Sequence, residues 1–244
     1  MKFVSLFVLA VAAALFAAGP APSLAQDYAA IIAAPDRADA DRQTDQRRDP
    51  VKLLAFTGVK TGMTVLDMGA GGGYSTELMA RAVGPTGKVY GQDYETGARA
   101  KERFEARIKT DAMKNVVALA RPFDDPLPAE VSNLDLITFF FFYHDTTYMA
   151  VDRAAMNKKL FAALKPGGFL IIADHSAKPG AGTSVGKTLH RIEESALRSE
   201  VEAAGFKLAA SADFLRHPED PRDERVFQPK VPVDEFVLKF QKPN

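Results

Sequence analysis

The chain has 244 residues, the length of one large domain or two small ones, and its 31 basic and 31 acidic side chains give a formal charge of zero. Hydrophobic residues make up 47%, enough to fill a core, which excludes a disordered chain, and the balanced charge argues against an electrostatic nucleic-acid binder. With no cysteine, disulfide scaffolds, cysteine-ligated zinc, iron–sulfur clusters and thiol nucleophiles are excluded together.

Met1 and Lys2 precede an apolar run from Phe3 to Ala18 broken only by Ser5, and Gly19, Pro20 and Pro22 end it. Ser23-Leu24-Ala25 then supplies small residues on either side of Leu24. This is the pattern of a secretory signal peptide, and the run falls just short of a membrane span. The expectation is export to the periplasm with cleavage after Ala25, which leaves no stable membrane span. The alternative is a membrane anchor formed by an uncleaved N-terminal segment. Residues 26–49 are polar and charged and read as a solvated leader or a capping helix. Residues 50–244 read as one domain.

From Pro50 onward, apolar blocks alternate between strand and helix periods. Strands are expected at Thr64–Met68, Lys88–Gln92, Val116–Ala120, Leu134–Tyr143, Phe169–Ala173, Phe206–Phe214 and Glu235–Gln241. Helices are expected at Thr76–Val83, Thr96–Met113, Ala150–Leu164 and Glu193–Ala204, with Gly84-Pro85-Thr86-Gly87 and Pro166-Gly167-Gly168 as turns. Ile137 to Tyr143 shows no polar alternation, as a central parallel strand buried on both faces requires. The implied fold class is α/β, a doubly wound and mostly parallel seven-stranded sheet with an antiparallel strand near the C-terminus.

The most informative stretch is Asp67-Met68-Gly69-Ala70-Gly71-Gly72-Gly73-Tyr74, a strand end, a glycine turn and a helix start. Glycines let a backbone pass close beneath a ligand, and a helix N-terminus offers free N–H groups to an anion. A dinucleotide fingerprint fits poorly, because Tyr74 fills the third position, where a small residue is needed. Ala181-Gly182-Thr183-Ser184-Val185-Gly186-Lys187-Thr188 is one residue short of a P-loop and does not directly follow a strand. It reads as a loop leading into a helix.

Asp67, Gly69, Gly71 and Gly73 fit D-x-G-x-G-x-G and resemble the first motif of class I S-adenosylmethionine-dependent methyltransferases. Asp93, twenty residues beyond Gly73, Asp135 and Lys165-Pro166-Gly167-Gly168 extend the likeness over roughly residues 50 to 175. The resemblance implies S-adenosyl-L-methionine as cofactor, with the loop backbone of Gly69, Ala70, Gly71 and Gly73 under its methionine part. It also implies Asp67 near the ammonium, directly or through water, and Asp93 on the ribose hydroxyls. The acidic residue expected at the adenine is displaced here, so Phe123 is assigned to the adenine face and Asp124 to its amino group. The chain beyond the expected cleavage site is similar to a group of signal-peptide-bearing bacterial predicted methyltransferases, through Arg48-Asp49-Pro50, Tyr143-His144-Asp145, Asp174-His175 and Leu189-His190-Arg191-Ile192-Glu193.

Three of four histidines fall beside the predicted ligand-binding edge, His144 after the fourth strand, His175 after the fifth and His190 at the entrance of the helix that follows, and open α/β sheets bind ligands outside the carboxyl ends of their strands. His144, His175 and His190 are therefore the candidate catalytic residues over the transferred methyl group. His144 is the first choice of base and Asp145 the residue that orients it. A His/Asp/Glu metal site is a second reading, but no tight spacing of the H-E-x-x-H kind supports it and no metal is expected. His217, in a Pro- and Asp-rich loop, reads as surface. The implied function is methyl transfer to an O or N of a small-molecule acceptor. The alternative is an exported binding protein that keeps the fold without transfer, motivated by a cofactor made in the cytosol and a chain that carries an export signal.

Overall fold

In the computed structural model, which describes residues 26–94 and 97–244, the alternating blocks build one sheet in the order β3-β2-β1-β4-β5-β7-β6. Its strands are β1 (Thr64–Met68), β2 (Lys88–Asp93), β3 (Val116–Ala120), β4 (Leu134–Phe140), β5 (Leu164–His175), β6 (Lys207–Ala212) and β7 (Glu235–Gln241). The first five pair in parallel, and β7 runs antiparallel to both β5 and β6. Three helices precede the sheet, α1 (Tyr28–Ala33), α2 (Asp39–Arg48) and α3 (Pro50–Thr57); α4 (Tyr74–Val83), α5 (Ala98–Arg107), α6 (Arg153–Ala163), α7 (Gly186–Leu189) and α8 (Glu194–Ala203) follow. This is the doubly wound class that the alternation implies. The signal segment read in residues 1–25 lies outside the described residues. Among the described residues, no helix is long and apolar enough to cross a membrane.

The absence of alternation in β4 has its cause in the two cores. Ile137 and Phe139 enter one apolar cluster with Leu66, Met68, Leu170 and Phe236, while Leu136 and Phe140 enter the other with Val65, Leu78, Ile171 and Val237. β4 ends three residues before the expected Tyr143, because the Phe141 amide closes the ladder on the Ala173 carbonyl and Phe141 then turns at φ +57°. A 3-10 turn, Tyr143–Thr147, follows. β5 begins five residues earlier than expected, its Lys165–Gly168 stretch absorbed as a register shift against β4. The long helix expected over Thr96–Met113 is α5 plus a separate 3-10 turn at Asp111–Met113.

Residues 26–49 form a docked cap, the second of the two alternatives that their polarity left open. α2 carries no apolar side chain except alanine, so it is held by charge. Arg37 donates to both oxygens of Asp45 at 2.6 and 2.8 Å, and the Tyr74 hydroxyl at the start of α4 donates to Asp45 Oδ1 at 2.7 Å. Arg107 on α5 donates to both oxygens of Asp41 at 2.6 and 2.8 Å and to the Gly72 carbonyl at 2.9 Å. These bonds tie the cap to the glycine turn. Asp45→Ala would strand the fully buried Arg37 guanidinium and is expected to cost about 3 kcal/mol, the scale for a buried pair that loses one partner. A urea midpoint unchanged from wild type would contradict that.

Arg48-Asp49-Pro50 is corner chemistry. Asp49 adopts the left-handed conformation, φ +39° and ψ +60°, as C-cap of α2 and N-cap of α3, with its carboxylate 3.4 Å from the Lys52 amide. Pro50 takes the first helical position, where its missing N–H costs nothing. The corner turns Arg48 inward.

Candidate active site

The strand order reverses between β1 and β4, and the chain's candidate residues gather outside the carboxyl ends of those strands. Between β1 and α4, Gly69, Gly71 and Gly73 all have positive φ, at 65°, 54° and 81°. They differ in what surrounds them. A Cβ at Gly73 would stand 2.9 Å from the Arg107 side chain and 3.0 Å from Phe104, so this glycine is required by the packing of α5. A Cβ at Gly71 would meet nothing closer than 3.9 Å. The space over Gly71 is open to a ligand. The Gly69 amide donates to Gln92 Oε1 at 3.1 Å, the Ala70 amide to the Gln92 carbonyl at 2.8 Å, and the Gly73 amide back to Ala70. Among the described residues, the Gly71 and Gly72 amides have no internal acceptor.

Asp67 corrects one expectation. Its side chain is fully buried, with Oδ2 accepting from the Ser75 and Thr76 hydroxyls at 2.8 and 2.7 Å and Oδ1 from Thr138, its register neighbour on β4, at 2.7 Å. Burial pushes its pKa up. Asp67 braces the turn and the start of α4 from beneath, and direct contact with an ammonium is closed to it. Asp93 ends β2, half-buried, and lines a cavity of about 460 Å³ with Gly91, Tyr94, Ala98, Lys101 and Ala118. Phe123 is a second correction. It is buried beneath Phe142 and Phe139, stacked at 5.1 and 6.1 Å, and offers no face to an adenine. Phe142, the half-exposed ring of that stack, would touch a Cβ at Gly69 at 3.0 Å. Asp124 stays in the β3–β4 connection, its Oδ2 3.4 Å from the Asp152 amide.

Sequence reasoning missed Arg48. Its guanidinium lies 4.5 Å over the Phe141 ring and 5.2 Å over Tyr74. The Nε is buried without a hydrogen-bond acceptor, and no carboxylate forms an ion pair with this arginine among the described residues. Burial and the neighbouring Arg47 push its pKa down to about 10, so it remains charged at neutral pH. A cavity of about 650 Å³ runs from Arg47 and Arg48 past Gly72 and Tyr74. A half-buried cation with no direct ion-pair partner beside an open glycine turn fits a ligand carboxylate.

The three histidines converge. His144 packs 5.4 Å from both His175 and His190, ring centre to ring centre. His144 Nδ1 is 2.7 Å from Asp174 Oδ1, and its amide donates to Asp174 Oδ2 at 2.8 Å. His144 Nε2 is 3.2 Å from Asp145 Oδ1, which also faces His190 Nδ1 at 3.0 Å and accepts from the Tyr148 hydroxyl. Burial opposes charge on His144, but Asp174 and Asp145 outweigh it and raise the pKa to about 10. The two carboxylates thus favour the charged ring of His144, which is 2% exposed, with Nδ1 hydrogen-bonded to Asp174 and Nε2 facing Asp145. The expectation that it acts as base does not fit that state.

His175 is buried against Phe141 at 5.3 Å, and burial, with the nearby His144, Arg47 and Arg48 charges, keeps it neutral. Its Nδ1 lies 2.9 Å from Glu235 Oε1, out of line for a hydrogen bond, and burial raises Glu235 to about 7. His190 is the partly exposed member, in the left-handed region at φ +55°. Partial burial and the charges of His144 and Arg225 depress its pKa, and Arg225 Nη2 approaches its Nε2 at 3.4 Å. Asp145 therefore takes the Nδ1 proton and leaves a lone pair on Nε2. Donor atoms of His144, Asp145 and His190 lie within 4.8 Å of one another, a set that could hold a cation. The contacts of Asp145 with both rings satisfy these atoms without a cation.

The P-loop-like stretch is a pinned loop. Gly182 donates its amide to Glu193 Oε2 at 2.8 Å and accepts the Glu193 amide at 2.9 Å, which leaves no phosphate cradle.

The sheet order, the glycine turn and the strand-end residues define the class I methyltransferase type of α/β protein. A family model described as a methyltransferase domain matches residues 59–212, and the chain belongs to that family. Demethylmenaquinone methyltransferase of Lactococcus lactis is 31% identical over 125 residues, 51% of this chain and 47% of that protein. The chain thus spans about half the length of the curated relatives it matches. Among solved structures, an S-adenosylmethionine-dependent methyltransferase from Aquifex aeolicus superposes with TM-score 0.60 at 21% identity, over 83% of this chain and 96% of that one. Aeropyrum pernix fibrillarin, solved with bound S-adenosyl-L-methionine, matches with TM-score 0.51 at 16% identity, over 78% and 74% of the two chains.

Proposed function

We propose that this chain is an S-adenosyl-L-methionine-dependent methyltransferase that methylates an O or N of a small-molecule acceptor. The observation that carries the reading is the open space over Gly71 beside Arg48, a half-buried arginine whose Nε is buried without an acceptor and which has no direct ion-pair partner among the described residues. The cofactor supplies a methyl group on a sulfonium. Arg48 receives its methionine carboxylate, and the Gly71 and Gly72 amides face that part of the ligand. Asp93, at the end of β2, accepts from the ribose hydroxyls. Asp67, Gln92 and Arg107 hold the turn in shape, and the acceptor lies at the histidine edge. There Asp145 keeps His190 in the tautomer whose Nε2 takes a proton, and the charged His144, fixed by Asp174, holds Asp145 in place. The family match supports the reaction class, and the name of the Lactococcus relative supports an acceptor of small size.

The test is transfer itself. The full chain, incubated with methyl-labelled cofactor and a panel of small phenols, amines and quinols, is expected to label at least one acceptor. Saturable cofactor binding with no label on any acceptor would favour a binding protein that has lost transfer.

A further inference from the structure

The β6–β7 connection brings an exposed aromatic and a cation to His190. The Val226 amide donates to the Leu189 carbonyl at 3.4 Å and docks this segment beside α7. Phe227 is 61% exposed, yet its ring meets His190 at 4.8 Å, and the 40% exposed Tyr148 flanks the other side at 6.0 Å. Arg225 lies 5.7 Å over the Phe227 ring and 3.4 Å from His190 Nε2. Its neighbours are paired: Arg222 with Asp234 at 2.9 Å, Asp223 with Lys178 at 3.1 Å and Glu224 with Lys230 at 2.5 Å. Among the described residues, no carboxylate pairs with Arg225. An aromatic left in water and a cation aimed at the base without an anion are both explained by a ligand that covers them.

We propose that this mouth selects a small aromatic hydroxy compound bearing an acidic group, its ring against Phe227, its acid on Arg225 and its hydroxyl at His190 Nε2. The inference rests on the methyltransferase reading and names its acceptor class. A phenolic hydroxyl, with a pKa of about 10, is within reach of a neutral imidazole in a way that an aliphatic alcohol is not. In the step, Arg225, drawn onto the acceptor's acid, gives up its contact with His190 Nε2; the acceptor O–H then gives its proton to that nitrogen and the oxygen lone pair forms the new O–CH₃ bond. The C–S bond of the sulfonium donor breaks with its electron pair on sulfur. The products are an aryl methyl ether, a neutral thioether and an imidazolium.

The probes are 4-hydroxybenzoate, 4-hydroxybenzamide and 4-hydroxycyclohexanecarboxylate, titrated by calorimetry into the full chain saturated with S-adenosylhomocysteine. 4-Hydroxybenzoate is expected to bind about fivefold or more tighter than either analogue, since one lacks the anion and the other the aromatic ring. Arg225→Gln should abolish the preference for acid over amide, and Phe227→Ala the preference for the aromatic ring; both side chains are exposed, so neither change threatens the fold. Equal binding of the three probes, binding of none, or preferences that survive both substitutions would overturn the proposal. Absence of S-adenosylhomocysteine binding in the first titration would instead remove the methyltransferase reading beneath it.

Discussion

His190→Asn is expected to lower kcat by about 10²–10⁴-fold, the range for loss of a general base, with cofactor affinity retained. Asparagine tolerates the left-handed backbone at this position and can still donate to Asp145, but it cannot take a proton. The pH profile separates His190 from His144. The groups facing His190 are Asp145, His144, Tyr148 and Arg225, and its pKa lies below the ordinary histidine value. The rate needs the neutral ring, so it rises with pH through a value below 6.5 and has levelled by neutrality. Were His144 the base, the same limb would sit near 10. His144→Asn leaves the fully buried Asp174 without its imidazolium and acts first on stability. A limb near 10, or full activity of His190→Asn, would return the role to His144 or remove it from the histidines.

Arg48→Met should affect stability and binding unequally. Methionine keeps much of the contact with Phe141 and Tyr74 and removes a half-buried charge that no carboxylate pairs directly. The free protein is expected to stay within about 1 kcal/mol of wild type, because lost cation–π attraction and relieved desolvation oppose each other. Cofactor affinity should fall by about 1.5–3 kcal/mol, the scale of a hydrogen bond to a charged group. Calorimetric titration and a urea melt of the same preparation read both. Unfolding of the variant with unchanged affinity per folded molecule would make Arg48 structural only.

The sheet was legible because its signals are local. Thr64–Met68, Val116–Ala120 and Glu235–Gln241 announce themselves by apolar content between turn residues, and the strands in the structure have the same ends. The glycine turn was legible for the same reason. What failed depended on partners far away in sequence. Asp67 looks like a ligand-facing acid until Thr138, seventy-one residues on, takes one of its oxygens. Phe123 looks available until Phe139 and Phe142 bury it. Arg48 sat in a charged stretch whose plain reading is a solvated face, and only the corner at Asp49-Pro50 hints that it turns inward. The histidines gathered as the strand-end rule implies. Their division of labour follows from which carboxylate each one meets, which spacing does not encode.

The central claim is that the turn at Gly71 and the cation at Arg48 form one cofactor site. Calorimetric titration of the full chain with S-adenosyl-L-methionine tests it most directly, with Arg48→Met titrated beside it. The account predicts one saturable site per chain in wild type and about tenfold or greater weakening in the variant. No heat of binding in a folded wild-type protein would contradict it, and so would equal affinity in the two.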